Sequence, residues 1–414
     1  MNAPRLALLL AVLGLLAPGS ATAQITFDQA IALASQSPAV RAAGDALAAR
    51  RAGDEHLGGT LGPLQAVVMP GGRLAPDGDQ GLEVQASLVQ SWTLGPLARS
   101  RRDAAREERG ELAAQERARA LAANLEAGRQ WILLRTLEEV SAELDERVAV
   151  TDELVARLAR GVELGVIAAA DLADARALLA EVRQEQLAAE GARFEASTAL
   201  QLAMGQPPDP AGLHTAGPAP APVLPTRDDL ATRLESLDGL PSVESARRAE
   251  AAARQRGAEQ AAASAPSLQL GGQLEHSGPA GWTLFGLVGL QLPAPGQGRR
   301  ARSLADAEVA ASAAARESVE QSARGELAVA IHELDHSREV LAQVREALLP
   351  AAEEARALRD RAVALGEGTV LALLDAQRRE LAARIDAAHA RGDALWAELR
   401  LWLLLSTLDP SEVS

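Results

Sequence analysis

The sequence predicts a mainly helical protein that also carries transmembrane β-strands and is built from two copies of one structural unit. Three observations support this fold class. One pattern of residues recurs about two hundred positions further along the chain, each copy contains a very long helical stretch, and each copy holds two segments of alternating apolar and polar residues. Helices of that length exceed those of ordinary globular domains, so we expect an elongated unit.

The first 23 residues, MNAPRLALLLAVLGLLAPGSATA, have the pattern of a secretory signal peptide. Arg5 precedes an apolar run from Leu6 to Ala17, and Ala21-Thr22-Ala23 is a small-residue cleavage pattern. The apolar run is too short to cross a bilayer as a helix. We therefore expect an exported chain that begins at Gln24, without a lipid anchor because Gln24 is not cysteine.

Composition excludes several classes of function. The chain has no cysteine, so it can form neither disulfides nor a cysteine-ligated zinc site. A net charge of −15 argues against a nucleic-acid partner. Beyond the signal peptide we find no apolar run of about 18 residues, so a membrane-spanning role would require β-strands. We expect no cofactor.

The repeat is found by subtraction. RGVELGVIAAADLADA starts at Arg160 and RAVALGEGTVLALLDA starts at Arg361, an offset of 361 − 160 = 201. The same offset relates Gly95 to Gly296 and Ala104 to Ala305. We therefore predict a signal peptide over 1–23, a first structural repeat over 24–204, a proline-rich extended linker over 205–226, a second structural repeat over 227–408 and a short tail over 409–414.

Each copy opens with an amphipathic helix, for which Thr26 or Asp28 is the candidate N-cap in the first copy, and continues with two strand candidates. SLQLGGQLEH and WTLFGLVGLQLP alternate in the second copy, and LGPLQAVVM and GLEVQASLVQSW are their counterparts in the first. Alternation over about ten residues is the weak pattern of a transmembrane β-barrel strand. A hairpin packed on a soluble core is the other interpretation, and export of the chain favours the former.

Very long helices follow the strands. Residues 97–160 contain no proline and their apolar positions recur at intervals of three and four, which predicts a helix of about 90–100 Å. In the second copy Leu327, Leu334, Leu341 and Leu348 lie seven apart, as in a coiled coil. Pro350 should kink or interrupt that helix.

A tight turn then leads into a shorter returning helix in each copy. Leu164-Gly165 and Leu365-Gly366 occupy the turns, where glycine can adopt the left-handed conformation that ends a helix. Asp171 and Thr369 are the candidate N-caps of the returning helices.

One motif suggests an enzyme. The stretch AIHELDHSR contains His332-Glu333-Leu334-Asp335-His336, which matches the H-E-x-x-H pattern of zinc peptidases. However, Leu334 belongs to the leucine seam, the repeat partner WILLR has no trace of the motif, and no third ligand is evident beyond Glu353 and Glu354 by spacing. We interpret the two histidines as polar residues on the solvated side of a coiled coil.

The duplicated turns, RGVELGVIAAADLADARALLAEVRQEQ and RAVALGEGTVLALLDAQRRELAARIDA, resemble the two repeats of the TolC family of outer-membrane efflux and secretion channels. The openings ITFDQAIALASQSPAVRAAGDALAARRA and LPAPGQGRRARSLADAEVAASAAARE share the resemblance. It implies a homotrimer in which three sets of four strands close one twelve-stranded outer-membrane β-barrel, surrounded by lipid. The long coiled-coil helices would form a periplasmic α-barrel, or tunnel. The implied partners are a periplasmic adaptor (membrane fusion) protein and an inner-membrane pump of the RND or ABC type.

The resemblance also implies site residues. Adaptors would dock at the helical turns, here Leu164, Gly165, Leu365 and Gly366. Acidic residues would narrow the periplasmic entrance, and the candidates are Asp171, Asp174 and Asp375. Three family gate positions depart from the pattern, because they carry Val363, Gly368 and Ala372 here. The resemblance therefore implies an entrance that is gated differently or locked less tightly.

Three functions follow from these patterns. The first is a passive exit duct in the outer membrane, extending into the periplasm and without catalysis. The second is a zinc peptidase that uses His332, Glu333 and His336. The third is a soluble periplasmic coiled-coil scaffold whose strands form ordinary hairpins. Cargo specificity would reside mainly in the pump, so the sequence does not distinguish drugs, metal ions and polypeptides as cargo.

Overall fold

A computed structural model describes most of the chain. The predicted signal peptide up to residue 22 and the predicted tail, residues 409–414, lie outside the described residues. The described segments are 23–54, 61–74, 80–226, 229–230, 237, 239–277, 281–292 and 296–407.

The elements follow the predicted order in both copies, which confirms the mainly helical fold class with two strands per copy. The first copy contains β1 (Ala23–Ile25), α1 (Phe27–Ala34), α2 (Pro38–Asp54), β2 (Leu61–Leu74), β3 (Gln80–Thr93), α3 (Leu97–Glu163) and α4 (Ala169–Ala203). Strand β4 (Leu213–Thr215) follows, and the second copy contains α5 (Pro241–Ala263), β5 (Ser267–Ser277), β6 (Trp282–Gln291), α6 (Gln297–Gln343), a π-helical turn (Val344–Leu348), α7 (Leu349–Ala364) and α8 (Val370–Ser406).

The chain divides into two compact units, and each contains parts of both repeats. One unit lies within Met1–Pro38, Ala120–Leu230 and Leu327–Ser406, and holds most of the helical core. The other lies within Ala39–Arg119, Ala231–Glu326 and Thr407–Ser414, and holds the four-stranded sheet. The long helices α3 and α6 contribute to both units, so neither repeat corresponds to one compact unit.

The four predicted strands form one antiparallel sheet in the order β2-β3-β5-β6. Its register places most of the apolar residues of the four strands on one face: Leu64, Ala66, Val68, Pro70, Val84, Ala86, Leu88, Trp92, Leu268, Leu270, Leu274, Trp282, Leu284, Val288 and Leu290. Val67, Met69, Val89 and Leu287 lie on the opposite face. Gln90 and His276 are polar residues on the apolar face, and His276 stacks on Trp282 with ring centroids 4.7 Å apart. Phe285 pairs with Gln273 and so lies on the opposite, mostly polar face.

Both outer strands of the sheet keep one unpaired edge. Within the described part of the chain β2 pairs only with β3, and β6 pairs only with β5. The described residues of β6 are mostly exposed, including Trp282, Leu284 and Val288. An apolar face and two free edges leave this sheet incomplete as it stands in one chain.

The core of the helical unit contains Trp131, a fully buried residue of α3. Its ring meets Phe27 edge-on at 5.6 Å, and its indole Nε1 donates a hydrogen bond to the carbonyl oxygen of Ile25 at 3.0 Å. Strand β1 pairs in parallel with β4, which lies inside the predicted linker, so the linker is tied to the start of the chain. Thr26 caps α1 by accepting from Gln29, in agreement with its prediction as an N-cap.

The second long helix is interrupted where Pro350 was expected to disturb it. Pro350 lacks the N–H that would bond to the carbonyl of residue 346, and the π-helical turn Val344–Leu348 precedes it. The wider turn changes which side chains face the core, so Val344 is buried and Leu348 is 44% exposed. Leu327 and Leu334 are buried as predicted, and the prediction that Leu348 continues the leucine seam is wrong.

No helix among the described residues combines the length and apolar character that crossing a membrane requires.

Candidate functional site

The candidate site is the pair of helical turns that join α3 to α4 and α7 to α8, which we call the first tip (residues 160–168) and the second tip (residues 361–369). Their backbones carry the same hydrogen bonds at the offset 361 − 160 = 201. Val166 N–H and Ile167 N–H both donate to the oxygen of Gly161, at 3.0 and 3.2 Å. At the second tip the N–H groups of the two equivalent residues donate to the Ala362 oxygen at 2.9 and 3.1 Å.

Glycine is required at the apex of each tip. Gly165 has a φ of +73° and Gly366 has a φ of +78°, a left-handed conformation that strains other residues. Leu164 is 78% exposed and Leu365 is 65% exposed, so each tip presents one leucine to its surroundings. The predicted docking residues therefore lie where a partner protein has access to them.

The two tips differ in the side chains around that common backbone. In the first tip the exposed residues flanking Leu164-Gly165 are Glu163 and Val166; the equivalents in the second tip are Ala364 and Glu367. Each tip thus carries one carboxylate, on opposite sides of its leucine. A partner that binds both tips would contact a leucine at each one. The carboxylate precedes the leucine in the first tip and follows it in the second.

The position of the glycine inside the turn is also exchanged between the two tips. In the first tip Ile167 lies directly over Gly161, and a Cβ on Gly161 would come within 2.4 Å of the Ile167 Cγ1. In the second tip the equivalent pair is Gly368 and Ala362, and a Cβ on Gly368 would come within 3.1 Å of the Ala362 Cβ. In each tip a glycine therefore lies opposite the larger residue of the pair.

The predicted gate residues lie on the returning helices just beyond the tips. Asp171 is half-buried in the first turn of α4 and Asp174 is exposed, and neither side chain forms a hydrogen bond or ion pair with the part of the chain that the structure describes. Asp375 is exposed on α8 and accepts a hydrogen bond from Arg379, one turn further along, at 2.7 Å. Within one chain these three carboxylates are not joined by any contact.

The predicted N-caps have different outcomes. Thr369 precedes α8 and its hydroxyl accepts from the Ala372 N–H at 3.3 Å, as predicted. The prediction for Asp171 is wrong, because α4 begins earlier: Ala168 is the N-cap and has no side chain that can accept a hydrogen bond. Asp171 instead lies in the first turn, where its charge suits the positive end of the helix dipole.

The H-E-x-x-H residues do not form a metal centre. His332 and His336 are exposed and their rings stack with centroids 6.0 Å apart. Glu333 accepts a hydrogen bond from Arg400 of α8, which engages the carboxylate that a peptidase would use as its base. Across the described residues, no group of three or more potential ligands is placed to hold a metal ion.

A charged cluster that the sequence interpretation missed lies between α3, α7 and α8. Glu380 is 1% exposed and its carboxylate lies 2.7 Å from Nη2 of Arg147, 3.1 Å from Nε of Arg356 and 3.1 Å from Nη2 of Arg384. Burial lowers the pKa of Arg384, but the nearby Glu380 and Glu143 more than offset this and raise it. Glu380 follows the buried Leu373 and Gln377 at helical intervals, and a charged residue at such a core position was the available signal.

Comparison with known proteins relates part of the chain to a family. Residues 234–407 match the sequence model of the family described as outer membrane efflux protein. No curated protein sequence matches the chain significantly.

Solved structures share the fold over most of the chain. The outer-membrane channel OprN aligns with a TM-score of 0.78 at 19% identity, covering 92% of this chain and 90% of its own. The CmeC outer-membrane channel of Campylobacter jejuni aligns with a TM-score of 0.78 at 15% identity, covering 92% and 85%. The outer-membrane protein VceC of Vibrio cholerae aligns with a TM-score of 0.71 at 20% identity, covering 91% and 94%.

Proposed function

We propose, from the match of residues 234–407 to the outer membrane efflux protein family and from the fold, that the chain forms the outer-membrane exit duct of a tripartite efflux or secretion system. Substrate would pass through it from the periplasm to the exterior without chemical change. An inner-membrane pump would supply the energy and select the cargo. The observation that carries this proposal is the four-stranded sheet with one apolar face and two unpaired edges.

Closure by three copies satisfies that sheet. Lipid offers no hydrogen-bonding partners, so free strand edges are excluded from a bilayer unless the sheet closes into a barrel. If β6 of one copy pairs with β2 of the next, three chains give twelve strands and no edge. The apolar face then contacts lipid, and the mostly polar face lines the channel.

The length of the apolar face fits a membrane. Trp92 pairs with Leu268 and Trp282 pairs with His276, so the two tryptophans lie 276 − 268 = 8 residues apart along β5. At about 3.3 Å per residue this is about 26 Å along the strand. The four strands have 10 to 14 residues each, which is long enough to span an outer membrane when tilted, and the two tryptophans would lie near its two surfaces. Phe285 pairs with Gln273 on the opposite face of the sheet and so would face the channel.

In the helical unit, we assign adaptor docking to the tips and narrowing of the entrance to Asp171, Asp174 and Asp375. The exposed Leu164 and Leu365 support docking, because a partner can bury both side chains without disturbing the fold. The three aspartates support an acidic entrance, because two of them are exposed and none is buried in the helical core. The pump would be of the RND or the ABC type.

The alternatives lack comparable support. A zinc peptidase has no third ligand among the described residues, and the family match gives it no support. A periplasmic scaffold would leave the apolar sheet face, which includes Leu284 and Val288 at 75% and 79% exposure, without a cover.

The test is the state of the protein in the envelope. We expect it in the outer-membrane fraction, extractable only with detergent, with a protein mass near three of the 43.1 kDa chains less their signal peptides. The purified trimer should form discrete channels in a planar lipid bilayer. A monomer or dimer recovered from the soluble periplasm would overturn the proposal.

A further inference from the structure

The Glu380 cluster joins α7 to α3 as well as to α8, against which α7 packs. Three helices meet there, with Arg147 from α3, Arg356 from α7, and Glu380 and Arg384 from α8. A second contact joins α7 to α8, since Glu353 lies 3.5 Å from Arg384. All of these residues belong to the same compact unit.

The rest of α7 buries little apolar surface. None of its residues is fully buried, and its Leu358 is 61% exposed. The helix begins at the π-helical turn, where the regular hydrogen-bond ladder of the preceding helix is interrupted. The second tip, which follows α7, is therefore attached by a broken helix on one side and by α8 on the other.

The first tip is attached in a different way. The helix leading to it, α3, runs without interruption to Glu163 and buries Leu154 and Leu158. These pack with Leu172, Ala175 and Leu178 of α4 in one apolar cluster. The same cluster contains Val370 and Leu374 of α8. Apolar packing in this cluster therefore holds both helices of the first tip but only the returning helix of the second, and the charged cluster is what joins α7 to α3.

We propose that Glu380 is a positioning residue for the second tip, which it holds in place by drawing Arg356 of α7 toward Arg147 of α3. The buried carboxylate accepts a hydrogen bond from Arg147 and attracts Arg356 as an ion pair at 3.1 Å, so it draws α7 toward α3 by a charge interaction that exposed apolar contacts do not supply. Val363 and Gly368 in the second tip, and Ala372 just after it, are uncharged and cannot form an ion pair. Its position relative to the first tip consequently depends on the cluster. For its role at a channel entrance, this inference rests on the proposed function.

The test is limited digestion of the detergent-purified full-length protein with trypsin. Arg359 and Arg361 are exposed beside the second tip, and Arg157 and Arg160 are exposed beside the first, so each tip reports on itself. Arg356→Met removes the α7 partner but leaves Arg147 paired with Glu380. We expect cleavage at 359 and 361 to become about tenfold faster, with cleavage at 157 and 160 unchanged.

Three companion variants separate positioning from general damage. Glu354→Gln changes an exposed α7 carboxylate outside the cluster and should leave both tips as in the parent protein. Arg356→Lys keeps the charge and should restore most of the protection. Glu380→Gln should accelerate cleavage at the second tip even more than Arg356→Met. Unchanged cleavage in Arg356→Met, or equal acceleration at both tips, would overturn the proposal.

Channel recordings then separate this inference from the proposed function. If the parent protein conducts and Arg356→Met raises its open fraction, both stand. If the parent protein forms no channel but the two tips respond unequally to trypsin, the exit-duct proposal fails and the positioning role of Glu380 stands. If the parent protein conducts and the tips respond equally, only the positioning role fails.

Discussion

The contact between Gly161 and Ile167 allows a sharp test of how the first tip is packed. In Gly161→Ala the new Cβ would lie 2.4 Å from Cγ1 and 3.2 Å from Cβ of Ile167. Rotation about χ1 does not move the Cβ of Ile167, so it does not relieve the second contact. The substitution should therefore push the turn apart, whereas the second tip, with Ala362 already opposite Gly368, shows that alanine is compatible with the same backbone.

The expected magnitude follows from two opposing effects. Overpacking costs about 1–3 kcal/mol. Replacing a helical glycine by alanine gains about 1 kcal/mol in helix propensity, so the net cost for Gly161→Ala lies between about 0 and 2 kcal/mol. Adding Ile167→Gly removes the clash and reproduces the pair found in the second tip. The double variant should therefore be more stable than the sum of the two single effects predicts, by a coupling energy of about 1–3 kcal/mol.

Hydrogen exchange measured by mass spectrometry reads this out directly. The amides of Val166 and Ile167 are protected by the Gly161 oxygen, so opening of the turn exposes both. A coupling of that size corresponds to about a 5- to 150-fold difference in exchange rate across the double-mutant cycle. Peptides from the second tip serve as the control within each molecule. Additive effects of the two substitutions, with no coupling, would refute the packing argument.

Further predictions concern the sheet, the tips and the ion pairs. Gly271→Ala would place a Cβ 2.4 Å from the Leu88 oxygen, so it should abolish the detergent-resistant trimer, whereas Gly286→Ala meets nothing within 4 Å and should assemble normally on gel electrophoresis without heating. Leu164→Asp, at an exposed position, should change thermal stability by less than about 0.5 kcal/mol yet abolish efflux in cells that contain the complete system. Burial raises the pKa of Glu320, but hydrogen bonds from Arg316 and Arg247 outweigh this and hold the pKa of Glu320 below its ordinary value of 4.5. The stability that Glu320 contributes is therefore present above pH 4.5 and lost as the pH falls through its lowered pKa; thermal melts of Glu320→Gln should differ from the parent protein above that pH and converge with it in acid. A difference that persists in strong acid would contradict this assignment.

Features determined by local pattern were predictable from the sequence. The offset between the repeats extends to individual hydrogen bonds of the two tips, because the residues that end a helix with a left-handed glycine are local. Alternation predicted the apolar sheet face, since neighbouring side chains on a strand point to opposite sides. The interruption near Pro350 followed from its missing N–H.

Features determined by distant contacts were not predictable. The pairing of β1 with β4 joins residues that are far apart in sequence and leaves no periodic pattern in three-residue strands. Leu348 left the seam because a π-helical turn changes the rotation of everything after it, which a heptad count cannot anticipate. Glu380 required knowledge of which helices bring arginines to it, since Arg147 lies 233 residues away. The Asp171 cap failed because helix boundaries shift by a few residues without changing the pattern.

The unpaired edges of the sheet have a genetic consequence. In the proposed trimer each chain pairs one sheet edge with each of its two neighbours. A single defective β-sheet therefore prevents closure of the whole barrel. When the Gly271→Ala chain is produced in equal amount with the normal chain and the two mix freely, only about one ring in eight contains three normal chains. The altered allele should therefore be dominant over the normal one, while a chain that fails before it meets its partners, such as one that is never exported, should be recessive.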